Sequence, residues 1–288
     1  MSGFAPKSIL CPLDISSAAP KVLRWASLLS RSSSAKLQIL HAHWVEYPPY
    51  FLPSQTEELA AEAERNSRGI RDNLEALIKE NIPANTPYEI TILEGHPVET
   101  ILKYAEVHKS DLIVMGSHGR SGHARMGLGS VAEHVLQQTS SPTLLVRAPE
   151  GKAVPSKISR ILCPVTFDEH AIQCISLSAA VAVTFGAQLI VMHSEEEATS
   201  PGVRKKQLCE WVPAEVRDRC ELIEVIRQGS AAEQILLAAR EHDVNIIVLA
   251  ARHRRFFDFT VIGTTTEKVM RHADSTVLVL PVRGGKHD

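Results

Sequence analysis

The chain has 288 residues, of which 44% are hydrophobic and 5% aromatic, and its formal net charge is −2. This length allows one large domain or two ordinary domains with a substantial core. The near-neutral charge and the small aromatic share argue against nucleic acid or an acidic membrane surface as the partner. The sequence shows neither a signal-peptide pattern nor an apolar run long enough to cross a bilayer, so we expect a cytoplasmic protein.

Short apolar runs alternate with helical patterns along the first half of the chain. A buried strand is predicted at Ile9–Leu13, and the helix after it is expected to have Ser16 or Ser17 as its N-cap. A second strand is predicted at Leu37–His41. The segment from Ser54 to Glu57 has the form of a capping box, which predicts the start of a long amphipathic helix.

The same alternation continues to the middle of the chain. Apolar residues alternate from Tyr88 to Ile92 as in a strand, and Pro97 suits the first turn of the next helix. A central strand is predicted at Leu112–Met115, a helix at Val131–Gln138 and a last strand at Thr143–Val146. This β-α-β order is typical of a doubly wound parallel sheet with helices on both faces. Such sheets bind ligands at the carboxyl ends of their strands, where the strand order reverses.

The second half of the chain repeats the first. Residues 7–14, 37–41, 94–102 and 111–115 recur, in the same order, at residues 159–166, 189–193, 228–236 and 245–249. We therefore predict two homologous domains, at residues 1–148 and 158–288, with a linker at residues 149–157 that is rich in turn formers. Because edge strands pair readily, Thr143–Val146 is expected to pair with Thr276–Leu280 and to make an intrachain pseudo-dimer, which leaves a homodimer of whole chains open.

The most informative motif is a glycine-rich loop between a predicted strand and a predicted helix. It runs from Gly116 to Ser130 and reads G-x2-G-x9-G-S. Glycines allow positive φ and close approach to a ligand, and the helix start adds N–H donors and the positive end of its dipole. A tight connection that binds nothing is the alternative. The convergence of several glycines with a helix start favours phosphate binding.

These motifs resemble those of the universal stress protein family, in its tandem-domain form. The resemblance covers nearly all of both halves, and it depends on residues 9–14, Leu40 to Ala42, Gly95-x-Pro97 and the loop from Gly116 to Ser130. It implies a five-stranded parallel sheet of order 3-2-1-4-5 in each domain. It also implies that the loop holds ATP in the nucleotide-binding members, often with a divalent cation such as Mg or Mn.

The resemblance also implies a set of binding residues, all of them in the first half. Those beside the adenosine and the ribose would be Pro12, Leu13, Asp14, Ala42, Met115 and Gly116. Those around the triphosphate would be Gly119, Arg120, Gly129, Ser130 and Val131. The chemistry of the side chains fits, because Ser130 offers a hydroxyl and an N–H at a helix start, and Arg120 can fork onto phosphate. For Asp14, a helix cap is an almost equal alternative to a ligand contact.

The second half departs from this pattern. When Gly263 is aligned with Gly129, Ala250 replaces Gly116 and His253 replaces Gly119, and Thr166 replaces Asp14 by the repeat. A side chain at the Gly119 position would disfavour positive φ and fill space beside the phosphates. We therefore expect one adenine nucleotide per chain, in the first domain, with the second domain empty or binding something more weakly.

The histidines and cysteines have structural interpretations. His41 and His193 recur at strand ends and are expected to be satisfied and half-buried rather than catalytic. The histidines near the loop lack metal-ligand spacing, so we predict no protein metal site; they are His96, His118 and His123. Cys11 and Cys163 lie in the first strand of each half and are expected to be buried packing residues with reduced thiols.

Several enzyme signatures are absent: the Walker G-x4-G-K-[ST] sequence, the G-x-S-x-G elbow and H-E-x-x-H. We assign no catalytic residue and expect at most weak ATP hydrolysis. The favoured function is an ATP-binding regulatory protein of the stress response that signals to an unknown protein partner. The alternatives are a slow ATPase or adenylate-handling enzyme, and a scaffold that works without nucleotide.

Overall fold

The computed structural model describes most of the two repeated halves. The described residues are 4–44, 68–117, 128–147, 151, 153–167, 171–195, 208, 210–252, 254–256 and 259–282. The predicted capping box at Ser54 to Glu57 lies outside them, as do Gly119, Arg120, His118, His123 and His253.

Strands and helices alternate in both halves. The first half contains β1 (Ser8–Pro12), α1 (Ala19–Ser33), β2 (Lys36–His43), α2 (described over residues 68–81), β3 (Tyr88–Glu94), α3 (Pro97–Val107), β4 (Leu112–Gly116), α4 (Ser130–Gln138) and β5 (Thr143–Val146). The second half contains β6 (Arg160–Pro164), α5 (Ala171–Phe185), β7 (Gln188–Glu195), α6 (Ala214–Arg217), β8 (Leu222–Gln228), α7 (Ala231–Glu241), β9 (Ile246–Arg252), β10 (Arg254–Phe256), β11 (Phe259–Val261), α8 (Thr264–His272) and β12 (Thr276–Val282). The strands predicted in the first half are confirmed, with ends that shift by one or two residues.

The two halves share one ten-stranded sheet. Its order is β3-β2-β1-β4-β5-β12-β9-β6-β7-β8, so each half has the predicted order 3-2-1-4-5. In this sheet, the strands of each half are parallel to one another. β5 and β12 are antiparallel, with Leu144 opposite Leu278 and Leu145 opposite Val277. The predicted pairing of these edge strands is therefore confirmed, and it makes the chain an internal pseudo-dimer.

Apolar side chains fill both faces of this sheet. One core cluster packs α1, α2 and α5 against the sheet, and the other packs α3, α4, α7 and α8 against the opposite face. Leu144 and Leu278 belong to the first cluster, whereas Leu145 and Val277 belong to the second. Each cluster therefore runs across the junction between the halves. Burial on both faces explains why the central strands are continuously apolar in sequence.

The start of α1 differs from the prediction. Its N-cap is Ala18, whose φ of −82° and ψ of −21° are already helical, and no side chain caps the helix. Ser16 instead donates its hydroxyl to Oδ1 of Asp14 at 2.6 Å. The predicted Ser16 or Ser17 cap is therefore wrong, and so is the alternative role of Asp14 as the cap. The chain makes a separate turn before the helix, in which Ala19 donates its N–H to the carbonyl of Ser16, so both serines precede the N-cap.

The second half contains an element that the sequence did not predict. β10 and β11 form an antiparallel hairpin outside the main sheet. This hairpin lies between β9 and α8, at the place where the first half has its glycine-rich loop. β11 lies next to α4 of the first half. In the second half, strands therefore lie at the position of the phosphate-binding motif.

Candidate functional site

A cavity of about 440 Å³ opens at the carboxyl ends of β1, β2 and β4. The strand order reverses between β1 and β4, so the cavity lies at the switch point of the first half. It brings together most of the predicted binding residues: Pro12, Leu13, Asp14, Ala42, Met115, Gly116, Gly129, Ser130 and Val131. Gly119 and Arg120 lie outside the described residues, so their roles stay predictions.

One end of the cavity is the N-terminus of α4. The helix begins at Ser130 after the N-cap Gly129, and no side chain caps it. Gly129 donates its N–H to the carbonyl of Ser117 at 2.8 Å, which ties the helix start to the end of β4. The first N–H groups of a helix have no intrahelical acceptor, and the helix dipole favours negative charge there. This end of the cavity therefore has the chemistry of an anion site.

The glycines at the two described ends of the loop do not have the predicted positive φ. Gly129 has a φ of −65° and a ψ of 143°, and Gly116 continues β4. The described glycines with positive φ are elsewhere, at Gly95, Gly151, Gly186 and Gly229. The contribution of Gly129 to an anion site is therefore its missing side chain, which leaves the adjacent N–H groups open.

The rest of the cavity combines an apolar wall with one carboxylate. The wall includes Ile70 of α2, Ile101 of α3 and Met115 of β4. Asp14 is half-buried, and it is the only carboxylate among the described residues that line the cavity. The Ser16 hydroxyl holds the side chain of Asp14 at the end of β1. This arrangement fits a ligand with an anionic part, an apolar flat part and hydroxyl groups between them.

His41 supports the floor of the cavity. Its Nδ1 lies 2.8 Å from the carbonyl oxygen of Leu13, and the side chain is buried. In the second half, Nδ1 of His193 lies 2.9 Å from the carbonyl oxygen of Val165. The same contact in both halves fits a structural role in shaping the turn after the first strand; His193 is half-buried as predicted, whereas His41 is fully buried.

Some residues of the cavity were missed from the sequence. His43 and Trp44 follow Ala42 along β2, and Pro97 opens α3. Trp44 is the most important of these residues. The sequence places this tryptophan shortly after the predicted end of the strand, on the side of the sheet where a ligand was expected. The strand was predicted to end at His41, whereas β2 continues to His43 and carries Trp44 into the cavity.

The comparisons with known proteins decide the family. The model of the universal stress protein family matches residues 6–147 and residues 157–281, which together make up most of the chain. The chain belongs to the universal stress protein family. Among its relatives, a universal stress protein of Methanocaldococcus jannaschii is 32% identical over 149 residues, which cover 50% of this chain and 84% of the relative. One from Thermus aquaticus is 32% identical over 141 residues, which cover 49% of this chain and 98% of the relative.

Solved structures share the tandem arrangement of this universal stress protein. One from Archaeoglobus fulgidus has a TM-score of 0.72 at 22% identity, and the match covers 96% of this chain and 99% of that one. A putative universal stress protein from Pseudomonas aeruginosa has a TM-score of 0.65 at 19% identity, with coverage of 96% and 94%. At these identities the likeness establishes the fold of both halves.

Aromatic rings lie at the corresponding strand ends in the second half of this universal stress protein. The ring of Phe167 lies 4.2 Å from the ring of His193 and 5.8 Å from that of Trp211. Phe167 follows Thr166, the counterpart of Asp14, so these aromatic rings lie at the carboxyl ends of β6 and β7. Glu195 is the counterpart of His43 by the repeat. At these aligned positions, the second half therefore has side chains of different chemistry from those of the first half.

A buried cysteine lies in the first strand of each half. Cys11 of β1 and Cys163 of β6 are fully buried free thiols. Burial raises the pKa of Cys11 to about 12 and also raises that of Cys163. Both thiols are therefore protonated at neutral pH, and the prediction that they are packing residues is confirmed.

Within the described parts of the chain, no group of three or more histidine, cysteine or acidic side chains is arranged to hold a metal ion. The helices that the structure describes include none with the length and apolar character to cross a bilayer.

Proposed function

We propose that this universal stress protein is an ATP-binding regulatory protein of the stress response, and that residues 1–148 form its nucleotide-binding domain. The observation that carries the proposal is the cavity at the switch point, which has the uncapped start of α4 at one end and an apolar wall at the other. A volume of about 440 Å³ is within the range of small-molecule sites, which is roughly 300–1,000 Å³.

The polar groups of the cavity match the phosphates and the adenosine of ATP. The N–H groups at Ser130 and Val131 suit the phosphates, since a helix start binds anions. Asp14 can accept a hydrogen bond from a ribose hydroxyl or from the base. Because Asp14 is the only carboxylate in the described lining, we expect a divalent cation to be held mainly by phosphate oxygens.

The proposal assigns one nucleotide to each chain. The first half has the glycine-rich sequence and the cavity, whereas the second has the β10–β11 hairpin after β9 and aromatic rings at the carboxyl ends of β6 and β7. Nucleotide bound in the first half acts as a signal when it binds one conformation or association state better than another. The unknown protein partner would recognise that state.

The experiment uses a matched pair of glycines at the starts of α4 and α8. Gly129 and Gly263 are both N-caps, with φ and ψ of −65° and 143° and of −60° and 145°, which any residue can adopt. We expect Gly129→Trp to block the phosphate end of the cavity and Gly263→Trp to leave ATP binding unchanged. A Cβ at Gly263 would meet no atom within 4 Å.

The readout is thermal or denaturant unfolding with and without ATP. ATP at 100 times its dissociation constant should stabilise the wild type and the Gly263 variant by about 2.7 kcal/mol. The Gly129 variant should show no stabilisation. Absence of stabilisation in the wild type at millimolar ATP would refute the proposal and favour a scaffold that works without nucleotide. Loss of the effect in both variants would refute the assignment to the first half.

A further inference from the structure

An aromatic pair lies at the mouth of the cavity. Trp44 follows β2, lines the cavity and is 54% exposed. The Trp44 and His96 ring centroids are 5.6 Å apart, and the ring planes meet at 78°. An exposed tryptophan is common enough by itself, but one that lines a concave site next to an anion-binding helix start is a candidate for ligand contact.

The backbone holds His96 beside Trp44. Gly95 donates its N–H to the carbonyl of His43 at 3.0 Å, which joins the turn before α3 to the end of β2. Gly95 has a φ of +146°, and a Cβ there would lie 2.8 Å from Oγ1 of Thr100. Only glycine fits this turn well. The residue after it, His96, is the N-cap of α3 and is thereby fixed against the tryptophan.

The second half has the same backbone arrangement without the aromatic pair. Gly229 donates its N–H to the carbonyl of Glu195 at 2.8 Å, and its φ is +117°. By the repeat, Glu196 is the counterpart of Trp44, and Ser230 is the counterpart of His96. The fold therefore does not require aromatic residues at these two positions. Their presence in the half with the open cavity points to the ligand.

We propose that Trp44, held by His96, is the stacking residue for the base of the nucleotide and makes the site selective for phosphate compounds that carry an aromatic base. This inference rests on the function proposed above. Base stacking on an aromatic side chain is worth about 1–3 kcal/mol per base, and it accepts any base because each has a π face. Trp44 therefore contributes affinity for nucleotides over inorganic polyphosphates, while α4 binds both.

The test measures the dissociation constants of ATP and of inorganic tripolyphosphate by calorimetry. We expect Trp44→Ala to weaken ATP binding by about 5- to 150-fold, which is the stacking energy converted to a ratio. Tripolyphosphate binding should stay within about twofold, since the helix start is unchanged. Trp44→Phe should recover most of the ATP affinity. The matched control is Trp211→Phe, which changes a tryptophan of the second half and should leave both constants unchanged.

Fluorescence gives a second readout with the same proteins. Trp25 is buried in the core and Trp211 packs in the second half, so quenching of tryptophan emission by ATP should come from Trp44. The quenching should disappear in Trp44→Phe and persist in Trp211→Phe. If wild type binds ATP and Trp44→Ala binds it equally well, the stacking role is wrong while the nucleotide site stands. If wild type binds neither ATP nor tripolyphosphate, both proposals fail.

Discussion

Gly95 is expected to matter both for the stability of the fold and for the shape of the binding site. Replacing Gly95 with alanine forces an L residue to a φ of +146°, a strain of about 1–3 kcal/mol. The new Cβ would also lie 2.8 Å from Oγ1 of Thr100, and moving that side chain off its rotamer costs roughly 1 kcal/mol. We expect Gly95→Ala to lower the free energy of unfolding by about 2–4 kcal/mol, or Tm by about 4–16 °C.

The matched control is the same change in the second half. Gly229 has a φ of +117°, and its Cβ would meet the flexible end of Gln234 at 3.1 Å, so Gly229→Ala should cost about 1–3 kcal/mol. Differential scanning calorimetry gives the stability, and titration calorimetry gives the ATP affinity. Gly95→Ala should weaken ATP binding, because it displaces His43 and His96, whereas Gly229→Ala should not. A Gly95 variant as stable as wild type, or equal losses of affinity in both variants, would refute this reasoning.

Two further predictions concern stability. Arg147 of the first half donates from Nε to the carbonyl of Ala273 at 2.9 Å and from Nη2 to that of Arg271 at 3.1 Å, so Arg147→Met should cost about 2–4 kcal/mol in urea unfolding. Arg240→Met removes an exposed ion pair and should cost at most about 1 kcal/mol; equal effects would contradict the interdomain role of Arg147. Because burial raises the pKa of Cys11 to about 12, the folded state keeps this proton while the unfolded state loses it above the ordinary thiol pKa. The contribution of Cys11 to the free energy of unfolding should therefore fall by up to about 1.4 kcal/mol per pH unit between roughly pH 9 and 12, so Cys11→Ala should have a shallower slope than wild type, and an unchanged slope would refute the assignment.

Much of the fold could be predicted from the sequence because its signals are local or repeated. Apolar runs located the central strands, and Pro97 marked the first residue of α3. The repeat of whole segments predicted two copies of one topology, and the apolar strand Thr143–Val146 predicted the junction with β12. The glycine loop and the opening of the chain likewise predicted which strand ends would meet at the cavity.

What could not be predicted depends on contacts between distant segments or on the residue at which an element begins. Trp44 meets His96 only because Gly95 bonds to the end of β2, and the spacing of these residues along the chain does not reveal that contact. The predicted cap at Ser16 or Ser17 is wrong because the helix begins at Ala19, so both serines precede the N-cap Ala18. The β10–β11 hairpin lies between β9 and α8, and the comparison of the repeats indicated a changed sequence there without indicating strands.

The stoichiometry of ATP binding tests the central claim most directly. Titration calorimetry of the wild-type chain should give one ATP bound per chain, with binding abolished by Gly129→Trp and preserved in Gly263→Trp. Two sites of similar affinity would contradict the difference between the halves, and no binding at millimolar ATP would contradict the nucleotide site itself.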